Sequence, residues 1–308
     1  MSTCRRSRLL LVVAVAAVTA ACAGGSVTTA PSSSPAGSGS AAATPTATPS
    51  PTAGMSSPGT ASATPVAAGP VWPIEARTLP AVAGRGPAVL RSITWAQHGS
   101  YERLVLAFTS AYGAVAVRYV PLVRADPSNA VVALPGSAYL SVVVHGAASR
   151  WPVTGVTPYG GPTVVRPGYR TIEAVAVAGD FEAVLSFGVG LGRVAGYHVY
   201  RLRSPDRLVI DVAEPPTWRS WPDDSPAMAV AAQTGYDAGH LPWRGSAPSV
   251  AWSYAFAVYG WTSPVVVATG PVGTFRISEQ GSRDHVTIHL AAAFPAHSRS
   301  VFEVTGTR

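Results

Sequence analysis

The chain contains no lysine; all 22 of its basic residues are arginine. Cysteine is nearly absent too, with only Cys4 and Cys22 in 308 residues. Two thiols so near the start exclude a disulfide framework or a cysteine-based zinc site in the remainder. Charge is sparse: Asp, Glu, Lys and Arg make up 12% of the chain, and none lies between Leu9 and Ile74. The apolar run from Leu9 to Val18 falls short of the roughly 20 residues that cross a bilayer, and no later segment is longer. Neither a Gly-x-Ser-x-Gly elbow nor a His-Glu-x-x-His stretch occurs. The formal charge of +7 is not gathered into an arginine cluster or an aromatic-basic ladder, so no nucleic-acid partner is expected.

What is present begins with an address. Arg5-Arg6-Ser7-Arg8, the apolar run, and small residues up to Cys22 have the layout of a secretory signal. Thr19-Ala20-Ala21-Cys22 resembles the lipobox of bacterial lipoproteins, with Thr19 where a branched aliphatic residue is usual. The resemblance implies that residues 1–21 are removed and that Cys22 becomes the lipidated first residue. Two acyl chains, such as palmitate, would give stable anchoring. The expected location is the extracytoplasmic face of a bacterial cell membrane. An ordinary cleaved signal with an incidental cysteine is the alternative. Removal of the signal takes three arginines, leaving a mildly basic chain.

Residues 22–70 are Ala, Ser, Thr, Pro and Gly almost throughout. They lack the large apolar groups that offset ordering entropy, and are expected to form a disordered tether. Arginine without lysine, beside abundant Ala, Val, Gly and Pro, suits GC-rich codons and suggests an actinobacterium. Residues 71–90 form a lead-in.

Residues 91–214 alternate with period two. Leu104, Leu106 and Phe108 share one face; Val115, Val117 and Tyr119 share another. Further strands are expected at 139–144, 175–177, 183–187, 197–202 and 207–212. Many short strands of this kind imply a sandwich or barrel. Gly188-Val189-Gly190-Leu191-Gly192 precedes another strand, not a helix, so it reads as a bulge or turn and not a phosphate loop. Asp211 alternates away from Leu208, Ile210 and Val212 and is placed to pair with Arg103. Asp180 and Glu182 are an acid pair of the type used in glycoside hydrolysis, or two solvated turn residues.

His98 to Phe108, Ile172 to Glu182, Ser186 to Leu202 and Ser204 to Ala213 resemble, in order, four blocks of the actinobacterial AMIN-like domain. The resemblance implies a β-sandwich related to domains that hold peptidoglycan and localise envelope proteins. It brings no agreed ligand residues.

Residues 215–308 change character. Pro226 to Tyr236 suits a helix capped by Ser225, and Pro248 to Tyr259 a second, with Val250, Tyr254 and Ala257 on one side. Strands are expected at 265–267, 274–277, 286–290 and 300–305. The fold class is therefore mainly β: a sandwich followed by a small α+β domain. Asp237 and His240 are close enough in sequence to share a proton or a metal; alternatively they belong to a packed turn in which Gly239 takes positive φ and Trp243 fills the core. His285 and His289 lie roughly 13 Å apart along a strand, too far to share an ion. No metal and no cofactor are expected.

The leading expectation is a non-catalytic envelope lipoprotein that binds peptidoglycan, its glycan, or an envelope protein. Trp95, Tyr101, Trp151, Tyr159 and Tyr169 are candidate sugar-stacking residues, the last three on a long loop rich in Pro and Gly. A wall hydrolase using Asp237 and His240, and a structural partner of a membrane complex, are the alternatives.

Overall fold

A computed structural model describes residues 70–82, 86–214, 220–271 and 273–307. The leader, Cys22 and nearly all of the tether lie outside the described residues. Eleven strands come first: β1 (Arg77–Leu79), β2 (Ala88–His98), β3 (Tyr101–Phe108), β4 (Val115–Val120), β5 (Ala138–His145), β6 (Ala147–Ala148), β7 (Val164–Val165), β8 (Ile172–Phe181), β9 (Val184–Leu191), β10 (Tyr197–Leu202) and β11 (Arg207–Ala213). Helix α1 (Pro226–Asp237), a 3₁₀ turn (Pro242–Gly245) and helix α2 (Ala247–Tyr259) follow, then β12 (Pro264–Ala268), β13 (Thr274–Glu279), β14 (His285–Ala292) and β15 (Phe302–Thr307).

The first eleven strands form two sheets, ordered β1-β4-β5-β9-β8-β7 and β10-β11-β3-β2-β6. Their inward residues alternate as the sequence expects. Leu104, Leu106 and Phe108 of β3 are buried opposite Val117 and Tyr119 of β4 and Leu140 and Val142 of β5 in one core. Burying each such large side chain contributes about 1.5–3 kcal/mol, so the alternation fixes which face turns inward. The lead-in is part of the sandwich: β1 pairs with β4 in one sheet, and β2 of the other starts at Ala88.

Two local solutions depart from sequence expectation. The β8–β9 hairpin closes on Glu182 and Ala183, both at positive φ (50° and 57°), although neither is Gly or Asn. Gly188 and Gly190 lie within β9 and not in a turn. A Cβ on Gly188 would come within 2.6 Å of Val123, and one on Gly190 would fall on the Pro135 carbonyl oxygen. The connection between β4 and β5 lies flat on these glycines and buries Val123 and Leu134 against Ala174, Ala176 and Ala178. Close approach, not chain reversal, is what requires glycine there.

The remaining elements form a four-stranded antiparallel meander, β12-β13-β14-β15, with the helices beside it. Ser225 Oγ accepts from the Met228 amide at 3.2 Å and caps α1, with Pro226 in the first turn. Ser246 caps α2, and Gly260 at φ 68° ends it. The buried stripe of α2 is Val250, Ala251, Tyr254, Ala255 and Val258; Ala255, not Ala257, fills the inner position. This helix packs on its own meander and on β4 of the sandwich. Arg124, between β4 and β5, pairs with Asp284 at 2.5 Å, and Thr307 Oγ1 donates to the Ser137 carbonyl.

Candidate functional site

The β2–β3 hairpin is the starting point. Its two-residue loop begins with Gly99 at φ 63°, and this register sets His98 opposite Tyr101. Their rings stack with centroids 5.0 Å apart and an interplanar angle of 10°. Arg103, two residues on, shares the outward face of β3. Asp211 of β11 pairs with it in register, His198 of β10 lies opposite Asp211, and Tyr200 follows on the same face.

These side chains meet. Arg103 Nε donates to Asp211 Oδ1 at 2.6 Å and Nη2 to Oδ2 at 2.8 Å, a bidentate pair. Arg103 Nη2 also donates to the Tyr101 hydroxyl at 3.2 Å, and the Tyr200 hydroxyl donates to Asp211 Oδ2 at 3.3 Å. The guanidinium carbon lies 5.4 Å from the Tyr101 ring centre and 5.8 Å from that of Tyr200. The hydrogen bonds to Asp211 hold the Arg103 guanidinium above its ordinary value, although burial opposes them. Burial, then the Asp211 charge, pushes the Tyr200 phenol up.

Trp72 completes the cluster from the lead-in segment. Its ring lies 5.4 Å from Tyr101, edge to face, and 5.9 Å from His198, which stands 5.1 Å from Tyr200. Its position depends on Gly196, where a Cβ would run into the Trp72 backbone, and on the Tyr197 amide, which donates to the Pro73 carbonyl at 3.1 Å. The result is a continuous row, His98, Tyr101, Trp72, His198 and Tyr200, around a neutralised Arg–Asp pair on the outer face of the β10-β11-β3-β2-β6 sheet. His98 and His198 are exposed, and the other three are half-buried. Such a surface offers apolar ring faces for stacking, with imidazole and phenol groups at their edges for hydrogen bonding. The Asp211 carboxylate is already occupied by Arg103 and Tyr200.

Of the sequence candidates, Tyr101 lies in this row. Trp95 pairs with Leu104 and is half-buried on the opposite, core-facing side of β2. Trp151 is exposed in a turn closed by its own amide and carbonyl, which bond Val156 and Gly155. The Tyr159 hydroxyl donates to the Pro162 carbonyl and its ring packs on the core; Tyr169 is half-buried. None of the ring contacts of Tyr101 involves these loop residues. Cys22 lies outside the described residues.

Asp180 accepts from the Ser149 amide and hydroxyl and faces Arg150, while Glu182 occupies the hairpin turn. Asp237 accepts from Gln233 Nε2 at 2.9 Å. His240 is exposed one residue beyond Gly239, whose φ of 83° ends α1, and its amide bonds the Gly235 carbonyl. The packed-turn alternative describes this region: Trp243 lies against the core and 6.4 Å from Trp221. His285 and His289 bond separate partners, Arg283 and Thr274. Among the described residues, no group of three or more His, Cys, Asp and Glu is placed to hold a metal ion.

Sequence reasoning missed Trp72, His98, His198 and Tyr200 as members of one cluster. The alternation of β10, Tyr197 inward and His198 and Tyr200 along the other side, carried part of that signal. Trp72 carried none, because its place is set by the path of the lead-in. No curated protein and no solved structure matches the chain. The family model of the AMIN-like domain matches residues 88–214, which span both sheets of the sandwich and every sheet residue of the aromatic row. That match points to a role in holding peptidoglycan or other envelope components, and residues 88–214 of this chain are an AMIN-like domain.

Proposed function

We propose that the protein is a non-catalytic envelope lipoprotein, anchored to the cell membrane through Cys22, whose AMIN-like domain binds peptidoglycan glycan on the Trp72, Tyr101 and Tyr200 face. The observation that carries this reading is the row of ring faces around the Arg103–Asp211 pair. Sugar rings present C–H groups that stack on such faces and hydroxyls that bond imidazole and phenol edges. The ion pair holds Tyr101 and Tyr200 in place without leaving a free charge to repel the wall.

Binding without cleavage is tested by incubating the full chain with purified sacculi, with and without EDTA. The protein should co-sediment and release no soluble fragments. Release of fragments would replace this reading with the hydrolase; failure to sediment would favour an envelope protein as the partner. Palmitate labelling of the wild type, absent in Cys22→Ala, tests the anchor.

A further inference from the structure

The strands at the edges of the sheets are β1, β7, β10, β6, β12 and β15. An exposed edge is a template for pairing with another chain unless short length, charge or cover prevents it. β1 is three residues long and carries Arg77, and β6 and β7 have two residues each. β10 carries Arg201, and its first amide, that of Tyr197, bonds the Pro73 carbonyl. Trp221 bridges β15 at Val304. β12 differs. It is five residues long, and no charged residue occurs from Trp261 to Pro271. Val265 and Val267 are 43% and 42% exposed, while Val266 packs inward on the core.

The register decides which way the backbone groups of β12 point. The Gln280 amide donates to the Ser263 carbonyl at 3.0 Å and the Thr269 amide to the Thr274 carbonyl at 3.1 Å. Between these bonds the antiparallel register is unbroken, with Val265 opposite Ser278 and Val267 opposite Arg276. Residues 263, 265, 267 and 269 therefore turn their backbone groups to β13, and Pro264, Val266 and Ala268 turn theirs to the open edge. Proline is accommodated at 264 because its missing N–H lies on that open side. Among the described residues, no strand pairs with this edge.

We propose that β12 is a dimerisation edge, pairing antiparallel with β12 of a second copy about a twofold axis at Val266. The edge is complementary to itself. The two copies of Val266 exchange their backbone bonds, and each Ala268 amide donates to the Pro264 carbonyl across the seam. Val265 meets Val267 of the second copy as a non-hydrogen-bonded pair, the kind whose side chains lie closest. The nearest charges on the ladder are Arg276 and Glu279 of β13. The twofold axis aligns Arg276 with Ser278 of the second copy and Glu279 with Phe275 of the second copy, so no charge faces its like. An interface built on one strand pair is small and belongs to the weak, reversible class. It lies outside residues 88–214 and does not depend on the wall-binding reading.

The test is sedimentation velocity of the full chain carrying Cys22→Ala, so that no acyl group adds association of its own, over a wide concentration range. A reversible monomer–dimer equilibrium is expected. Val265→Lys/Val267→Lys sets like charges opposite one another across the seam and should raise the dimer dissociation constant about tenfold or more. Both positions are exposed, so the variant should keep its fold by circular dichroism. Val265→Glu/Val267→Glu should behave the same way, and an equimolar mixture of the two variants should recover dimer as the heterodimer. Monomer at every concentration, undiminished dimerisation in either variant, or no recovery in the mixture would overturn the proposal. Sacculi play no part in the assay, so its outcome is separate from that of the wall reading.

Discussion

Single buried polar residues decide how this chain is tied together. Glu102 is fully buried on the core side of β3, and its carboxylate accepts from the amides of Arg170, Thr171 and Ile172 at 3.1, 3.0 and 2.6 Å. It straps one sheet to the start of β8 in the other. Glu102→Gln replaces an acceptor by a donor facing those amides; we expect a loss of about 3 kcal/mol in urea unfolding, from charge-assisted bonds of this kind. A second buried cluster joins Arg244 to Asp223, at 2.8 and 3.1 Å, and to Glu303 at 2.5 Å. Burial, followed by the hydrogen bond to Asp223, pushes the Glu303 carboxyl up to about 7 from its ordinary 4.5. Burial acts in the same sense on Asp223, but its bonds to Arg244 and Glu303 outweigh it and hold that carboxyl down.

The signs of the two carboxyls differ. Stability contributed by Glu303 is whole below about 4.5, declines as pH rises, and is gone above about 7. That contributed by Asp223 is present above its ordinary value of 3.8 and is lost as pH falls through its lowered value. Between pH 5 and 8 the protein should therefore lose stability on the order of 3 kcal/mol, and Glu303→Gln should flatten that decline. Melting temperatures across this range check it; a wild-type profile that rises toward pH 8 would contradict it.

At the scale of elements, hairpins and strands show where local sequence is not enough. Ala183 sits at positive φ with no side-chain reason to be there. Left-handed backbone costs a residue with a Cβ about 1–2 kcal/mol, so Ala183→Gly should raise the urea midpoint by an amount equivalent to about 1 kcal/mol. Gly190→Ala should do the reverse, losing about 3 kcal/mol, because its methyl would enter the Pro135 carbonyl. Strands and helices were legible where one face is buried: β3, β4, β10 and α2 follow their periodicity, and the Ser225 cap of α1 and the Gly239 turn could be read from residue type, whereas β11 is buried on both faces from Leu208 to Val212. The glycines of β9 were misread because their partner is a distant loop, which local pattern does not encode. Of the candidate site, Tyr101 was marked out only as an aromatic, and the Arg103–Asp211 pair was legible from alternation. Trp72 and the His198–Tyr200 edge became a site only through the pairing of β10 with β11 and the course of residues 70–79. Gln233 gave no such signal: it is buried, donates to the Arg299 carbonyl and accepts from the Val301 amide, and so secures α1 to the segment before β15.

At the scale of the whole molecule, the sandwich and the helix–meander lobe share a continuous apolar core through Tyr119, Tyr254 and Val258. The aromatic row faces outward from the sheet that lies away from this junction. A lipid at Cys22 and a long Pro- and Ser-rich tether would let such a face reach the wall while the lobe supports the sandwich behind it. The most direct measurement is the affinity of the full chain for purified sacculi, compared at equal salt with that of the Trp72→Ala/Tyr101→Ala variant. Stacking contacts of this kind contribute about 0.5–1.5 kcal/mol each, so the variant should stay folded and bind about tenfold or more weakly. Equal affinity of the two proteins would contradict the account.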